Sequence, residues 1–267
     1  MSSAPISPDP GSKVKLADHD PADTHGLSKE EALTQIDGLR SRLNVLQDIL
    51  YADRRYGLLV VLQAIDTGGK DGTIKSVFKE VGPLGSSVAN FGVPSAVELS
   101  HDYLWRYHAQ APERGKFVIF NRSHYESVLV ERVHGLVPEK VWKGRYEQIN
   151  TFESLLSGEG TVIVKFFLHI SKDEQRERLQ DRIDQPDKRW KFRKADLDER
   201  AHWDDYAEAF QDMVTKCNTE VAPWHVVPAN HKWYRDVVVA KTLIQRLEKL
   251  DLRYPEPEAG VVGTKVV

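Results

Sequence analysis

Leu58-Leu59-Val60-Val61-Leu62-Gln63-Ala64-Ile65-Asp66-Thr67-Gly68-Gly69-Lys70-Asp71-Gly72 decides how the rest of the chain is read. An unbroken apolar run of β-type residues enters a glycine-rich turn, passes a lysine and continues into a helix-like segment from Thr73 to Val81. Glycines let backbone N–H groups approach an anion, a helix N-terminus favours negative charge, and a lysine adds a point charge. The stretch departs from the common P-loop spelling in two places. Ala64 stands where the first glycine belongs, and Asp71 stands where a Mg²⁺-binding Ser or Thr is expected. A further carboxylate, Asp66, lies inside the loop. Carboxylates beside phosphates make sense when a metal lies between them, so the loop reads as phosphoryl-transfer chemistry. The plainer alternative is a tight strand-to-helix turn that happens to be rich in glycine.

Composition bounds the rest. The chain of 267 residues is 40% hydrophobic and 29% charged, enough to bury a sizeable core in one large α/β domain or two small ones. A formal net charge of −3 argues against wholesale polyanion binding and confines any such site to a local patch. With Cys217 as the only cysteine, neither an internal disulfide nor a cysteine-based metal cluster can form. The ten histidines show no His-Glu-x-x-His spacing. Met1 to Pro8 has no basic-then-apolar leader, and no apolar run reaches the roughly 20 residues of a membrane span. The expectation is a cytoplasmic protein with no membrane partner.

Outward from the loop, strands and helices alternate. Residues 1–27, rich in Ser, Pro, Asp and Gly, read as an extended or partly disordered arm. Ser28 with Glu31 makes a capping box for a helix whose apolar face is Leu33, Ile36, Leu39, Leu43, Leu46 and Leu50. Val88–Phe91, Phe117–Phe120, Thr161–Leu168 and Trp224–Val227 read as further strands. Helices are expected over 96–108, 125–133, 138–156, 172–184, 198–213 and 231–250, with Pro186 stopping the fourth of these. Such alternation predicts a three-layer αβα domain over 28–255, its parallel sheet covered on both faces, followed by a tail over 256–267. The Pro-broken stretch 184–200 is read as an insertion over the site.

Ligands of parallel sheets bind at the carboxyl ends of strands. Two ends carry chemistry: Asp66 to Lys70 after the first strand, and Asn121-Arg122 after Phe120. Asn121 occupies the place of an acid that helps hold Mg²⁺, and Arg122 can neutralise charge on a transferring phosphoryl group. Taken alone, Asn121-Arg122-Ser123 is a helix cap with a surface arginine. Five of the seven residues from Lys188 to Lys194 are basic and none is acidic, while Arg178 and Arg182 share a helix face upstream. A basic flap that closes over a phosphate loop suits a phosphate-rich substrate. A solvated helix face, or an RNA contact through basic and aromatic residues, is the competing reading. Arg106, between Trp105 and Tyr107, suits a nucleotide or a half-buried helix equally.

Three motifs carry a resemblance. Ala64-x-Asp66-x-x-Gly69-Lys70-Asp71-Gly72, Asn121-Arg122-Ser123-x-Tyr125 and Lys188-x-Trp190-Lys191 closely resemble the polyphosphate kinase type 2 family. The likeness extends through Ala222-Pro223-Trp224-x-Val226 and Asp236, and spans about residues 28–250. It implies a P-loop kinase fold with a helical lid, and transfer of a terminal phosphoryl group from inorganic polyphosphate to a nucleotide with Mg²⁺. By position, Asp66, Lys70 and Arg122 would be catalytic. Gly68, Gly69, Lys70, Asp71, Gly72, Arg178, Arg182, Lys188 and Lys191 would hold phosphate or polyphosphate. Asp66, Arg106, Asn121, Tyr125 and Glu126 would face the nucleotide, and Asp66 and Asn121 the metal. Many members have Asp at the place of Asn121 and Trp-Tyr-Asn at the place of His124-Tyr125-Glu126. The spelling here resembles the subgroup that accepts both AMP and ADP, with GMP and GDP as further acceptors, no nucleic acid partner and a homo-oligomeric assembly. An ATP-dependent nucleotide or small-molecule kinase, and a non-catalytic nucleotide- or RNA-binding module, are the alternatives.

Overall fold

The computed structural model describes residues 6–266; Met1 to Pro5 of the segment read for a leader, and Val267 of the tail, lie outside the described residues. In chain order the regular elements are α1 (Lys29–Asp53), β1 (Gly57–Gln63), α2 (Lys70–Val77), β2 (Ser86–Asn90), α3 (Ala96–Leu99), α4 (Trp105–His108), β3 (Phe117–Asn121) and α5 (Val130–Val133). There follow α6 (Glu139–Gly158), β4 (Thr161–His169), α7 (Lys172–Asp184), α8 (Ala195–Ala201), α9 (Trp203–Lys216), β5 (Trp224–Pro228) and α10 (Lys232–Glu248). The five strands form one sheet in the order β2-β3-β1-β4-β5, and every pairing is parallel. β1 therefore lies at the centre, with β3 on one side and β4 on the other. In register, Leu62 stands beside Asn121, so the loop after β1 and the turn after β3 emerge side by side. That is the crevice where open parallel sheets bind ligands.

All seven residues of β1 are buried, as expected of a strand covered on both faces. The pleat divides them between two cores. Leu59 and Val61 join Phe120, Ile163, Phe167 and Trp224 under α6 and α9; Leu58, Val60 and Leu62 join Ile119, Val164 and Phe166 under α1 and α10. Ser28 and Glu31 close the capping box at α1, with Glu31 N–H donating to Ser28 Oγ at 3.2 Å and Ser28 N–H to Glu31 Oε2 at 2.9 Å. The buried stripe of α1 is Ala32, Ile36, Leu43, Leu46 and Leu50, whereas Leu33 is exposed. Leu33 lies one position off the stripe, on the solvent side.

Three of the expected helices differ in the structure. The helix expected over 96–108 is two short helices, because Asp102 Oδ1 accepts from Leu104 N–H and restarts the chain. The stretch expected as a helix over 125–133 begins as a 3-10 turn, His124–Val128, before α5. His202 separates α8 from α9 within the helix expected over 198–213. The arm is ordered over its described residues: Val226 N–H donates to Ile6 O, Gly11 N–H donates to Asn218 O, and Val14 and Leu16 are buried. It runs across the outer edge of β5, so the edge strand is covered.

Candidate active site

The loop between β1 and α2 has the backbone its glycines demand. Thr67 and Gly69 both take positive φ, 65° and 106°. A Cβ on Gly68 would collide with Ala64, and one on Gly69 with the guanidinium of Arg235. Ala64 thus fills the place of the missing first glycine and leaves Gly68 no room for a side chain. Lys70 opens α2, and its Nζ donates to Ala64 O at 2.9 Å, folding the lysine back over the loop. Burial, followed by the nearby Arg122 guanidinium, holds the Lys70 pKa below its usual value, while Asp66, Glu126 and Asp71 pull it up. Lys70, Arg122, Asp66, Glu126 and Asp71 therefore share one electrostatic site.

From β3, Arg122 takes φ 64° and turns its Nη2 to Asp66 Oδ1 at 3.1 Å. Its side chain is 40% exposed, so it faces the crevice rather than the core. Burial works against its charge, but Glu126 and Asp66 outweigh it and hold the pKa above the ordinary arginine value. Glu126 is raised, by burial first, with Arg122, Lys70 and a Gln63 hydrogen bond opposing the rise. Asn121 Nδ2 donates to Asp71 Oδ1 at 2.8 Å and to Asn90 Oδ1 at 2.9 Å. This chain of amides ties the phosphate loop to the end of β2, where a cavity of about 370 Å³ opens. Asn90, Phe91, Glu98, Trp105 and Arg106 line it, and Arg106 is set there by Glu98 at 3.0 Å and by the faces of Phe91 and Tyr107.

Two of the residues expected at the ligand are turned elsewhere. Arg178 is buried: its Nε donates to Glu174 Oε1 at 2.6 Å, its Nη1 to Thr67 O at 3.0 Å and its Nη2 to Ala229 O at 2.6 Å. Its guanidinium braces the phosphate loop from behind. Tyr125 is fully buried, with its hydroxyl donating to Glu153 Oε1 at 2.8 Å. Arg182 lies in the last turn of α7, and Lys188 and Lys191 lie between α7 and α8, outside the core. Arg182 Nη1 donates to Lys191 O at 3.3 Å, and Lys191 Nζ sits over the exposed Trp190 ring. Gly72 lies against Arg235 without crowding it.

Two further residues, from distant helices, hold the loop. Arg235, from α10, is buried, bonds Asp236 Oδ1 at 2.6 Å and donates to Gly69 O at 3.3 Å. Gln175, from α7, donates to Asp66 O at 3.1 Å. Each reaches the loop across more than a hundred residues of chain. No local pattern announces them, although an arginine in the first turn of the last helix, beside a sheet that ends in a phosphate loop, is a signal that topology supplies.

A glycine-rich loop, a lysine and carboxylates at the crevice, with an arginine after the neighbouring strand, are the groups that phosphoryl transfer calls for. The protein is in this sense a phosphotransferase of the P-loop class. Residues 26–255 match the family model Polyphosphate kinase 2 (PPK2), and the chain belongs to that family. It is 54% identical over 253 residues to the AMP/ADP-polyphosphate phosphotransferase of Meiothermus ruber, covering 94% of this chain and 95% of that one. It is 45% identical over 227 residues to the ADP-polyphosphate phosphotransferase of Rhodopseudomonas palustris, covering 80% and 78%. The crystal structure of polyphosphate kinase 2 from Arthrobacter aurescens superposes with a TM-score of 0.93 at 42% identity, covering 96% of this chain and 92% of that one.

Proposed function

We propose that this enzyme transfers the terminal phosphoryl group of inorganic polyphosphate to AMP and to ADP, by direct in-line displacement. The observation that carries the reading is the shared site of Lys70, Asp66, Arg122 and Glu126 at the joined ends of β1 and β3. Membership of the polyphosphate kinase 2 family and the names of the two relatives support the donor and the acceptors.

In this reading the donor's terminal phosphate lies on Lys70 and at the N-terminus of α2, which Gly69 caps; the Gly68 N–H is given to Ile65 O and Gly68 serves by its lack of a side chain. Arg122 neutralises charge that builds on the moving group. Asp66 fixes Arg122 and faces the acceptor phosphate. The acceptor's base occupies the cavity beside Arg106, with guanine nucleotides as further substrates of the same shape. Arg182, Lys188 and Lys191 track the polyphosphate chain under the lid. No side chain needs to be phosphorylated, because positioning and charge neutralisation suffice for this chemistry.

The residues fit Mg²⁺. Among the described residues no three His, Cys, Asp or Glu side chains form a metal cage. Mg²⁺ asks for less than that: one or two carboxylates, with substrate phosphates and water filling the octahedron. Asp66 would hold it, with Asn121 contributing through its amide oxygen, since its amide nitrogen is committed to Asp71 and Asn90. When bound, the ion would offset charge on the phosphate oxygens.

Purified protein given long-chain polyphosphate, Mg²⁺ and ADP, with no ATP, tests the reading by chromatography. ATP accumulates, and EDTA stops it. Failure with polyphosphate, together with ADP formed from AMP and ATP, would make the protein an ordinary ATP-using kinase.

A further inference from the structure

Behind the active site lies a polar cluster that the phosphate chemistry does not touch. Lys165, in the middle of β4, is fully buried, and all three of its N–H groups are used: Glu153 Oε2 at 2.6 Å, Tyr125 Oη at 2.7 Å and Cys217 O at 2.8 Å. Glu153, from α6, is equally buried. Its second oxygen accepts from Tyr125 Oη at 2.8 Å and lies 3.1 Å from His124 Nε2. Burial pushes the Glu153 carboxyl up, but Lys165 and His124 outweigh it and hold it below the usual carboxylate range. Burial keeps the His124 ring neutral, with Nε2 carrying the proton toward Glu153, and His124 Nδ1 has no hydrogen-bond partner among the described residues.

A buried ion pair is a poor way to gain stability, because desolvation offsets most of the attraction. Its strength is directional: five hydrogen bonds fix where the contributing atoms sit. Two of those atoms belong to consecutive residues of the 3-10 turn that follows β3. In so tight a turn successive side chains point about 120° apart. With His124 and Tyr125 drawn into the interior, Glu126 is turned to the crevice, where it interacts with Lys70 and Arg122. Ser123, also buried, completes the tether. It accepts from Gln63 Nε2 at 3.0 Å, at the end of β1, and from Tyr125 N–H at 3.3 Å.

We propose that the Glu153–Lys165 pair, acting through the hydroxyl of Tyr125, is a positioning device that aims Glu126 at the acceptor and so sets the preference between AMP and ADP. Tyr125 is then a positioning residue, seated one step behind the nucleotide rather than against it. The inference rests on the proposed acceptor site and deepens it. AMP, the shorter acceptor, must be held nearer the transferring phosphate, where a misplaced Glu126 matters more than it does for ADP.

Two variants test it without stranding a buried charge. Tyr125→Phe removes only the hydroxyl, and the double variant Glu153→Gln with Lys165→Met replaces the ion pair by neutral groups of similar size. The readout is the ratio of kcat/KM for AMP to that for ADP, with the melting temperature measured alongside. We expect the ratio to fall about tenfold in Tyr125→Phe and in the double variant, and expect Tyr125→Phe to leave the ratio unmoved in a Glu126→Asn background. Non-additivity of that kind marks two residues acting as one unit. An unchanged ratio, or a fall that adds fully to that of Glu126→Asn, overturns the proposal and leaves the cluster a structural anchor. Should the native enzyme not phosphorylate AMP, the acceptor reading has failed instead. Calorimetry of AMP binding then decides the positioning claim: weaker binding in Tyr125→Phe, but not on top of Glu126→Asn, upholds it, and unchanged binding rejects it.

Discussion

Burial and the neighbouring Arg122 both disfavour the charged form of Lys70, and the carboxylates of Asp66, Glu126 and Asp71 oppose them. A cation held so uncomfortably contributes little to stability and much to anion binding. Lys70→Ala should therefore lower turnover about a hundredfold or more, in the range seen when a preorganised electrostatic donor is lost, while the melting temperature stays close to that of the native protein. Glu126 makes a sharper distinction. Glu126→Asn removes the negative charge and draws the polar group back by one methylene, and should suppress the AMP step more than the ADP step. Steady-state kinetics with each acceptor checks it, and equal losses would contradict the role. Asp66, Lys70 and Arg122 are legible in the chain because each lies within a few residues of a strand end, where topology must place ligand chemistry. Arg178 shows the limit. Its helix and spacing are evident, but which way the guanidinium turns depends on carbonyls at Thr67 and Ala229 that only the fold brings near.

At the scale of elements, the phosphate loop is a sprung turn held by its neighbours. Thr67 and Gly69 in left-handed conformations, Arg178 on Thr67 O and Arg235 on Gly69 O leave little freedom. Gly69→Ala meets both obstacles, a φ of 106° and the Arg235 guanidinium. It should cost roughly 1–3 kcal/mol of stability and most of the activity. Urea denaturation and the transfer assay measure the two losses, and a variant of native stability and rate would show that the loop is not under this constraint. Strands were the readable elements, since β1, β3 and β4 are buried on both faces and appear as apolar runs. Short helices were not. The break after α3 comes from an Asp102 turn, and the 3-10 turn at His124 comes from side chains pulled inward by Glu153 and Lys165. Neither cause has a periodicity to detect.

For the whole molecule, the arm takes the extended of the two forms that its composition left open. Its Ser and Pro content suits an unstructured segment, yet Val14 and Leu16 find a buried seat and Ile6 O pairs with the edge of β5. Ser7 Oγ lies 2.6 Å from His225 Nδ1 at that same edge. Burial lowers His225 and His169 from 6.5 to about 4. The unfolded chain therefore takes up these protons first as pH falls. Their contribution to stability is complete above about pH 6.5, declines between there and about pH 4, and levels off below. Each shift is worth at most about 3 kcal/mol, and less where the ring still meets water. Urea midpoints should drop steadily from pH 7 to pH 4.5 at a constant denaturant slope; midpoints that hold flat to pH 5 would contradict the burial of these rings. No helix among the described residues is long and apolar enough to cross a membrane.

The measurement that tests the central claim most directly is a time course from AMP. Native protein and Lys70→Ala are each supplied with AMP, long-chain polyphosphate and Mg²⁺ in the absence of ATP, and nucleotides are separated by chromatography. The account predicts ADP first and ATP after it from the native protein, with both nearly abolished in Lys70→Ala. AMP left unconverted by the native protein, or equal product from the two proteins, would contradict it.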